Sequence, residues 1–548
     1  MTINNEIGDI IDKAIGRAMT NGRIPGVELE SIQLESPKRP EYGQLATNIA
    51  FVLAKKANLS PYQIAQTIVE FMEKPEELIS QVEIAGGGFI NFWIAKYRLY
   101  KVLKEIEDKN ERYGMSDIGQ GKKVLIDFVS ANPTGPLHIG HGRGAAYGDI
   151  LGNILSFCGY EVTKEYYIND VGTQMETLGK SLKARYLQLS EQPVQLPENG
   201  YQGQYLIEIA RTLYHQEKDT YQNKDVDFFT QFAKDEILKD IKKTLIDFGV
   251  EYDNWFSEGR LYESKEVEDV LNTLRKLGFA YETDGALWLK TTSFGDEKDR
   301  VLIRQDGKPT YFAGDIAYHK NKYTRGYDLL IDAWGTDHHG YVKRLQSAME
   351  ALSYPDVVIL LYQLVSLVRD KQSVSMSTRS GEFITLSELI KEVGKDVGRF
   401  FFIMRKANSH LEFDLNLAKQ SSNENPVYYI QYVHARTCSI LAKAKKEGFQ
   451  EPFQADLNLL KLYEEKAILF KLASLPVEII SCAKFYEPQS LTTYLIELAG
   501  LFHNYYQHHR VISANKDLSS ARLVLVNAIR IVIRNTLLLL GLQAPERM

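Results

Sequence analysis

Residues 124–158 constrain the fold of this chain more than any other stretch. VLIDFV, 124–129, is a short β-branched and apolar run, the pattern of a strand buried on both faces. A loop rich in proline and glycine follows, then an apolar helical stretch from about Gly140 to Cys158. VTKEYYIND, 162–170, reads as the next strand. Strand, loop, helix, strand opens a doubly wound α/β domain, whose ligand lies at the carboxyl end of the first strand. The loop Ser130 to Gly144 occupies that place.

The loop has the groups a phosphate needs. A helix beginning near Gly140 aims free N–H groups at an anion, and Gly140, Gly142 and Gly144 let the anion approach. His138 and His141 share one side of the first turn and can donate to phosphate oxygens. The G-x-G-x-G spacing is not the dinucleotide fingerprint, and a glycine-rich turn with two surface histidines is the plain alternative. The whole string Pro133-Thr134-Gly135-Pro136-Leu137-His138-Ile139-Gly140-His141 is more specific. It resembles the signature of class I aminoacyl-tRNA synthetases. That resemblance implies that His138 and His141 contact ATP phosphates and stabilise the transition state of adenylate formation, with Gly140 and Gly142 at the nucleotide.

The same class carries a second loop, Lys-Met-Ser-Lys-Ser. Ser375-Met376-Ser377-Thr378-Arg379 matches its Met-Ser pair and has neither lysine. By resemblance Ser375, Met376, Ser377 and Thr378 lie at ATP. The leaving pyrophosphate still needs a cation; Arg379 is the nearest candidate, with Lys371 and Arg369 behind it. An ordinary polar loop is the alternative.

YGQLATNIA (42–50), YFAGDIAYH (311–319), WGTDHHGYVKR (334–344), GRFFFIMRKANSHLEFDL (398–415) and NPVYYIQYVHAR (425–436) resemble the arginyl-tRNA synthetase family. The resemblance spans essentially the whole chain. It implies L-arginine and ATP as substrates, Mg²⁺ arriving with ATP, tRNA(Arg) as partner, a monomeric enzyme, and arginine activation that depends on bound tRNA. A guanidinium is planar and always charged, and carboxylates are its matching acceptors. The family's two flanking acids map onto Asp127 and Asp315. Tyr311 packs on or bonds the substrate, Asn132 holds the head group, and Asp337, with His338 and His339, lies where the family binds ribose or substrate. Read from the residues alone, a structural ion pair is the plain alternative for Asp127 and a helix N-cap the plain alternative for Asp315.

The rest of the chain divides around this domain. Residues 1–112 read as an α+β unit, with helices at 48–57 and 61–72 and strands near 27–34 and 89–94. The polar, glycine-containing stretch 108–122 reads as a linker. Residues 121–420 form the Rossmann-like catalytic domain, with a polar, Tyr-rich helical insertion at about 185–290. Residues 421–548 read as an all-α helical bundle, giving a multidomain α/β protein. By resemblance the first block contacts tRNA through the stretch holding Tyr42, Gln44 and Asn48, and the last binds the anticodon. Tyr428, Tyr432 and Arg436, and then Tyr505, His509 and Arg510, interleave rings and cations as unstacked RNA bases require. A partly buried aromatic helix is the alternative.

The net charge is −6, from 65 basic and 71 acidic side chains, which disfavours a generic polyanion binder. Residues 426–548 hold 14 Lys/Arg and 10 Asp/Glu, a net of +4, so residues 1–425 carry −10 around a site for a cationic substrate. Three distant cysteines without a CxxC spacing point to a reducing compartment and no structural metal. The N-terminus lacks a secretory pattern, and Ile529–Leu542 is too short and polar to span a membrane, so a cytoplasmic protein is expected. Two rival functions remain. A small-molecule nucleotidyltransferase shares His-x-Gly-His but leaves both terminal blocks unexplained. A synthetase-like RNA-binding protein without catalysis has only the missing lysines in its favour.

Overall fold

The computed structural model describes residues 2–27, 32–37, 39–370, 372–373, 384–450 and 453–548. Its centre is a sheet of five parallel strands. In chain order they are β1 (Lys123–Phe128), β2 (Glu161–Ile168), β3 (Asn254–Ser257), β4 (Leu329–Gly335) and β5 (Val358–Tyr362). They lie side by side as β5-β4-β1-β2-β3. The winding reverses between β1 and β4, so their carboxyl ends border the crevice where open α/β sheets bind ligands.

Alternation along β1 assigns its two faces. Ile126 and Phe128 meet helix α1 (Ile139–Phe157), while Asp127 meets helix α2 (Tyr311–Thr324) on the other side. Helix α1 lies very close to the sheet. A Cβ on Gly148 would come 2.2 Å from Phe128 Cγ, and one on Gly144 2.6 Å from the Tyr362 hydroxyl. Glycine is needed there for space rather than for backbone freedom. Helix α3 (His339–Ala351) follows β4.

The stretch expected as one helical insertion is divided. Thr173–Leu189, Gln204–Glu217 and Val226–Asp247 are helices, but the chain then returns to the main sheet as β3. Helix Glu266–Lys276 and a small antiparallel sheet of Ala280–Thr283, Ala286–Leu289 and Arg300–Ile303 come next. Four residues of strand are too few to show a period, which is why β3 escapes a sequence reading.

In the N-terminal unit, helices Ile3–Thr20, Ile49–Ala57 and Pro61–Phe71 accompany an antiparallel sheet with Phe89–Ile94 between Leu45–Thr47 and Ile79–Ala85. Of the strand expected near 27–34, residues 28–31 lie outside the described residues; beyond them Glu35 bridges Ala46. The expected linker is anchored. Helix Lys96–Lys109 runs into it, and buried Tyr113 donates to the Leu472 carbonyl at 3.0 Å.

The C-terminal unit is built on four long helices, Pro426–Lys446, Tyr463–Phe485, Gln489–His508 and Lys516–Leu539. Fully buried Arg399 ties it to the centre. Its guanidinium donates to the carbonyls of Leu540 (3.2 Å) and Gly249 (3.0 Å) and to Asp149 Oδ2 (2.5 Å) on α1. Among the described residues no helix is long and apolar enough to cross a membrane.

Candidate active site

Helix α1 begins where the sequence places it, with His138 as its N-cap. The Gly140 N–H donates to His138 Nδ1 at 3.1 Å, and the His138 N–H donates to His141 Nδ1 at 3.2 Å. The two rings stack at 3.7 Å. Burial lowers the His138 pKa, and burial with the neighbouring ring pushes His141 down to about 3. Both imidazoles are therefore neutral at working pH. With Nδ1 accepting on each, the proton sits on Nε2. The turn thus presents two neutral Nε2–H donors beside the helix N-terminus, an arrangement that favours anionic phosphate.

Glu258 and Asp315 form the most unusual electrostatic feature nearby. Glu258 follows β3 and is 2% exposed. Asp315 lies in the second turn of α2, which rules out the N-cap role. Burial first, and then the Asp315 charge, push the Glu258 carboxyl up to about 7. Burial likewise raises Asp315, although the Tyr341 hydroxyl donates to it. Among the described residues neither carboxylate has an ion-pair partner, whereas buried acids normally do. Two buried carboxyls without a cation of their own hold a proton, as their raised pKa values show, or take a cation from outside. Glu258 is a candidate site residue absent from the sequence reading. Its only signal is an acid directly after the short aromatic run NWFS.

Asp127 is placed differently from the expectation. Its Oδ2 accepts from Lys322 Nζ at 2.9 Å, and its Oδ1 accepts from Ser130 Oγ at 2.5 Å. Lys322 is fully buried and already supplies the cation. Asp127 therefore forms the structural ion pair that was the alternative reading of this residue. Tyr167 and Tyr318, their ring centroids 4.3 Å apart, lie between this pair and Glu258.

The remaining residues border the crevice. Asn132 donates to Gln174 Oε1 at 2.8 Å from the loop after β1. That loop is strained, with Val129 and Ser130 at φ +67° and +41°. Tyr311, 47% exposed, opens α2, with its hydroxyl beside Gly172. Asp337, exposed at the end of β4, lies 3.5 Å from His338 Nε2 and acts electrostatically on His138. Lys371, Ser375, Met376, Ser377, Thr378 and Arg379 lie outside the described residues. Arg369 is described and pairs with Glu392 at 2.7 Å.

On the C-terminal unit, Tyr428, Tyr432 and Arg436 share one helix face, with Arg436 5.0 Å over the Tyr432 ring. His503 stacks on Tyr429 at 4.3 Å and Tyr432 at 5.9 Å, and exposed Tyr506 lies beneath Arg436. Tyr505 corrects the expectation: it is fully buried, its hydroxyl 3.3 Å from Glu465. Helical spacing explains this, since it continues the core series Leu491, Leu495, Leu498, Phe502. His509 is half-buried near Glu464 and Arg510 is exposed. In the N-terminal unit Tyr42 and Asn48 line a groove of about 460 Å³ with Phe89 and Asn91, while Gln44 Oε1 is held by the Ile94 N–H.

A doubly wound sheet, a histidine-capped helix at its switch point and a helical C-terminal unit together define a class I tRNA synthetase. The family profile described as tRNA synthetases class I (R), catalytic domain, matches residues 103–413. The Arginyl tRNA synthetase N terminal domain matches 3–94, and the DALR anticodon binding domain matches 430–548. An arginine--tRNA ligase of Desulforamulus reducens is 47% identical over 100% of this chain and 99% of its own length. One of Carboxydothermus hydrogenoformans is 48% identical over 99% and 98%. The arginyl-tRNA synthetase structure of Thermus thermophilus, 22% identical, shares the fold, with a TM-score of 0.77 over 99% of this chain and 100% of that one. The chain belongs to the arginyl-tRNA synthetase family.

Proposed function

We propose that the chain joins L-arginine to tRNA(Arg) in two steps, as a cytoplasmic monomer, with the residues below in the stated roles. ATP enters as its magnesium complex. The arginine carboxylate attacks the α-phosphorus, pyrophosphate leaves and arginyl-adenylate forms. The 2′-hydroxyl of the terminal tRNA ribose, the position the class I resemblance implies, then attacks the carbonyl carbon, and AMP departs. No covalent enzyme intermediate is needed, so positioning and electrostatics carry the catalysis.

Glu258 and Asp315 take the guanidinium between them. Asn132 holds the head group, Tyr311 covers the side chain, and Asp337 lies toward the ribose. His138 and His141 donate through Nε2 to phosphate oxygens as negative charge builds, with Gly140 and Gly142 giving the backbone access. Lys371 or Arg379 supplies the cation at the pyrophosphate, on the segment that holds Ser375, Met376, Ser377 and Thr378. Tyr428, Tyr432, Arg436 and Arg510, with His509, face the anticodon, and the groove at Tyr42 and Asn48 receives another part of the tRNA.

The observation that carries the arginine assignment is the buried, unpaired Glu258–Asp315 couple. ATP–pyrophosphate exchange with tRNA present tests it. Asp315→Asn should raise the arginine KM by about 30-fold or more, the loss expected when one partner of a desolvated charge contact is removed. The ATP KM should not move. Exchange without tRNA should be negligible, and robust exchange without it would count against tRNA-dependent activation.

A further inference from the structure

Helix α2 carries Tyr311 and Asp315, and charge holds it to the sheet. Asp332 on β4, Asp127 on β1 and Glu165 on β2 are register partners on adjacent strands. Register partners in a parallel sheet point to the same face, and neighbouring strands are about 4.8 Å apart. Three buried carboxylates therefore stand in a row across the sheet. Such a row requires cations.

Helix α2 and the residue after it bring them. Lys322 Nζ bridges Asp127 Oδ2 at 2.9 Å and Asp332 Oδ1 at 2.8 Å. Arg325 donates to Glu165 Oε1 at 2.8 Å. The Tyr318 hydroxyl lies 2.6 Å from Glu165 Oε1 and 2.9 Å from Asp127 Oδ2, so one proton serves the gap between them. His319 sets one ring nitrogen 2.7 Å from Asp332 Oδ2 and the other 2.7 Å from the Asp315 carbonyl. Although burial opposes it, the acids keep Lys322 charged, and Lys322 with His319 holds Asp332 down at about 2.

Two of these contacts end at the substrate site. The His319 contact ends on the backbone of Asp315 itself. The Asp127 contact runs through Ser130, whose Oγ also accepts from the Tyr167 N–H at 3.0 Å and so steadies the left-handed turn before Asn132. Glu258 itself makes none of these contacts, although Asn254 at the start of β3 donates to Glu165 Oε2 at 2.5 Å, and the signature helix α1 packs on the opposite face of the sheet.

We propose that Lys322 is a positioning residue for arginine recognition: by clamping Asp127 to Asp332 it fixes α2, and with it Asp315 and Tyr311, at the separation from Glu258 that a guanidinium fits. This rests on the assignment of Glu258 and Asp315 to the guanidinium. A residue that only stabilises the fold behaves differently. Its loss lowers the active fraction, so kcat falls while both KM values stay put. Loss of a positioning residue on this face raises the arginine KM selectively.

The test is steady-state aminoacylation by the full-length protein, below the melting temperature of each variant. Lys322→Met should raise the arginine KM about tenfold and leave the ATP KM within about twofold. Asp332→Asn, a milder break of the same clamp, should raise the arginine KM about threefold and decides the matter if Lys322→Met does not fold. Unchanged arginine KM in every variant that folds overturns the proposal. Asp315→Asn runs in parallel. If that variant is also silent, the site assignment itself has failed; if it alone responds, only the clamp is wrong.

Discussion

In the proposed site, a guanidinium between Glu258 and Asp315 meets a carboxyl that is about half protonated at neutral pH, because burial and Asp315 push Glu258 up to about 7. Below that pH arginine must displace a proton; above it, none. The arginine KM should therefore fall as pH rises from about 6 to 8, by up to roughly tenfold per unit on the acid side. Glu258→Gln should raise the KM and flatten this profile, as initial rates across the range would show. The linkage to stability has the opposite sign. The folded pKa lies above the usual carboxyl value, so the folded protein binds the extra proton at low pH, and this contribution is lost as pH rises through about 7. Bound arginine offsets the loss, so its shift of the melting temperature should be larger at pH 8 than at pH 6. Asp127 shows the limit of sequence reasoning at this scale. It sits on the right strand beside the right loop, but its cation is Lys322, distant in sequence and unremarkable in IAYHKNKY.

The elements nearest the His138–His141 turn are the most legible. β1, α1 and β2 carry their own periodicities and a Pro/Gly loop between them, so local pattern and global fold agree. β3 was not legible, because four residues carry no pattern and their place is set by pairing with β2. Glu258 was missed with it. The close seating of α1 is likewise invisible in sequence, where its glycines read as ligand access. Gly148→Ala would put a Cβ 2.2 Å from Phe128, so overpacking of about 1–3 kcal/mol should lower the melting temperature. A thermal scan with and without ATP would check this. The helix must move off the sheet, so ATP binding should weaken as well.

Across the whole molecule, the −6 of the chain is the sum of −10 over residues 1–425 and +4 over residues 426–548. The acidic part contains the Glu258–Asp315 crevice, and the basic part carries the Tyr428–Tyr432–Arg436 face, joined in space by His503 and Tyr506. Stacking of a base on such a ring contributes about 1–3 kcal/mol. Tyr432→Ala should therefore raise the tRNA KM about tenfold, while the arginine KM at saturating tRNA stays unchanged. Aminoacylation over a range of tRNA concentrations separates the two. The all-helical end was legible from its long periodic stretches, whereas its docking was not. Tyr113, in the expected linker, bonds Leu472, and Arg399 clasps Leu540 while pairing with Asp149 on the signature helix. Neither contact has a local sequence signal. Selection of arginine by Glu258 and Asp315 is decided by charging total tRNA with each amino acid in turn, using the unaltered protein and Asp315→Asn. Arginine charging alone is expected, severely reduced in the variant at limiting arginine. Charging with another amino acid, or arginine charging that ignores the substitution, would contradict it.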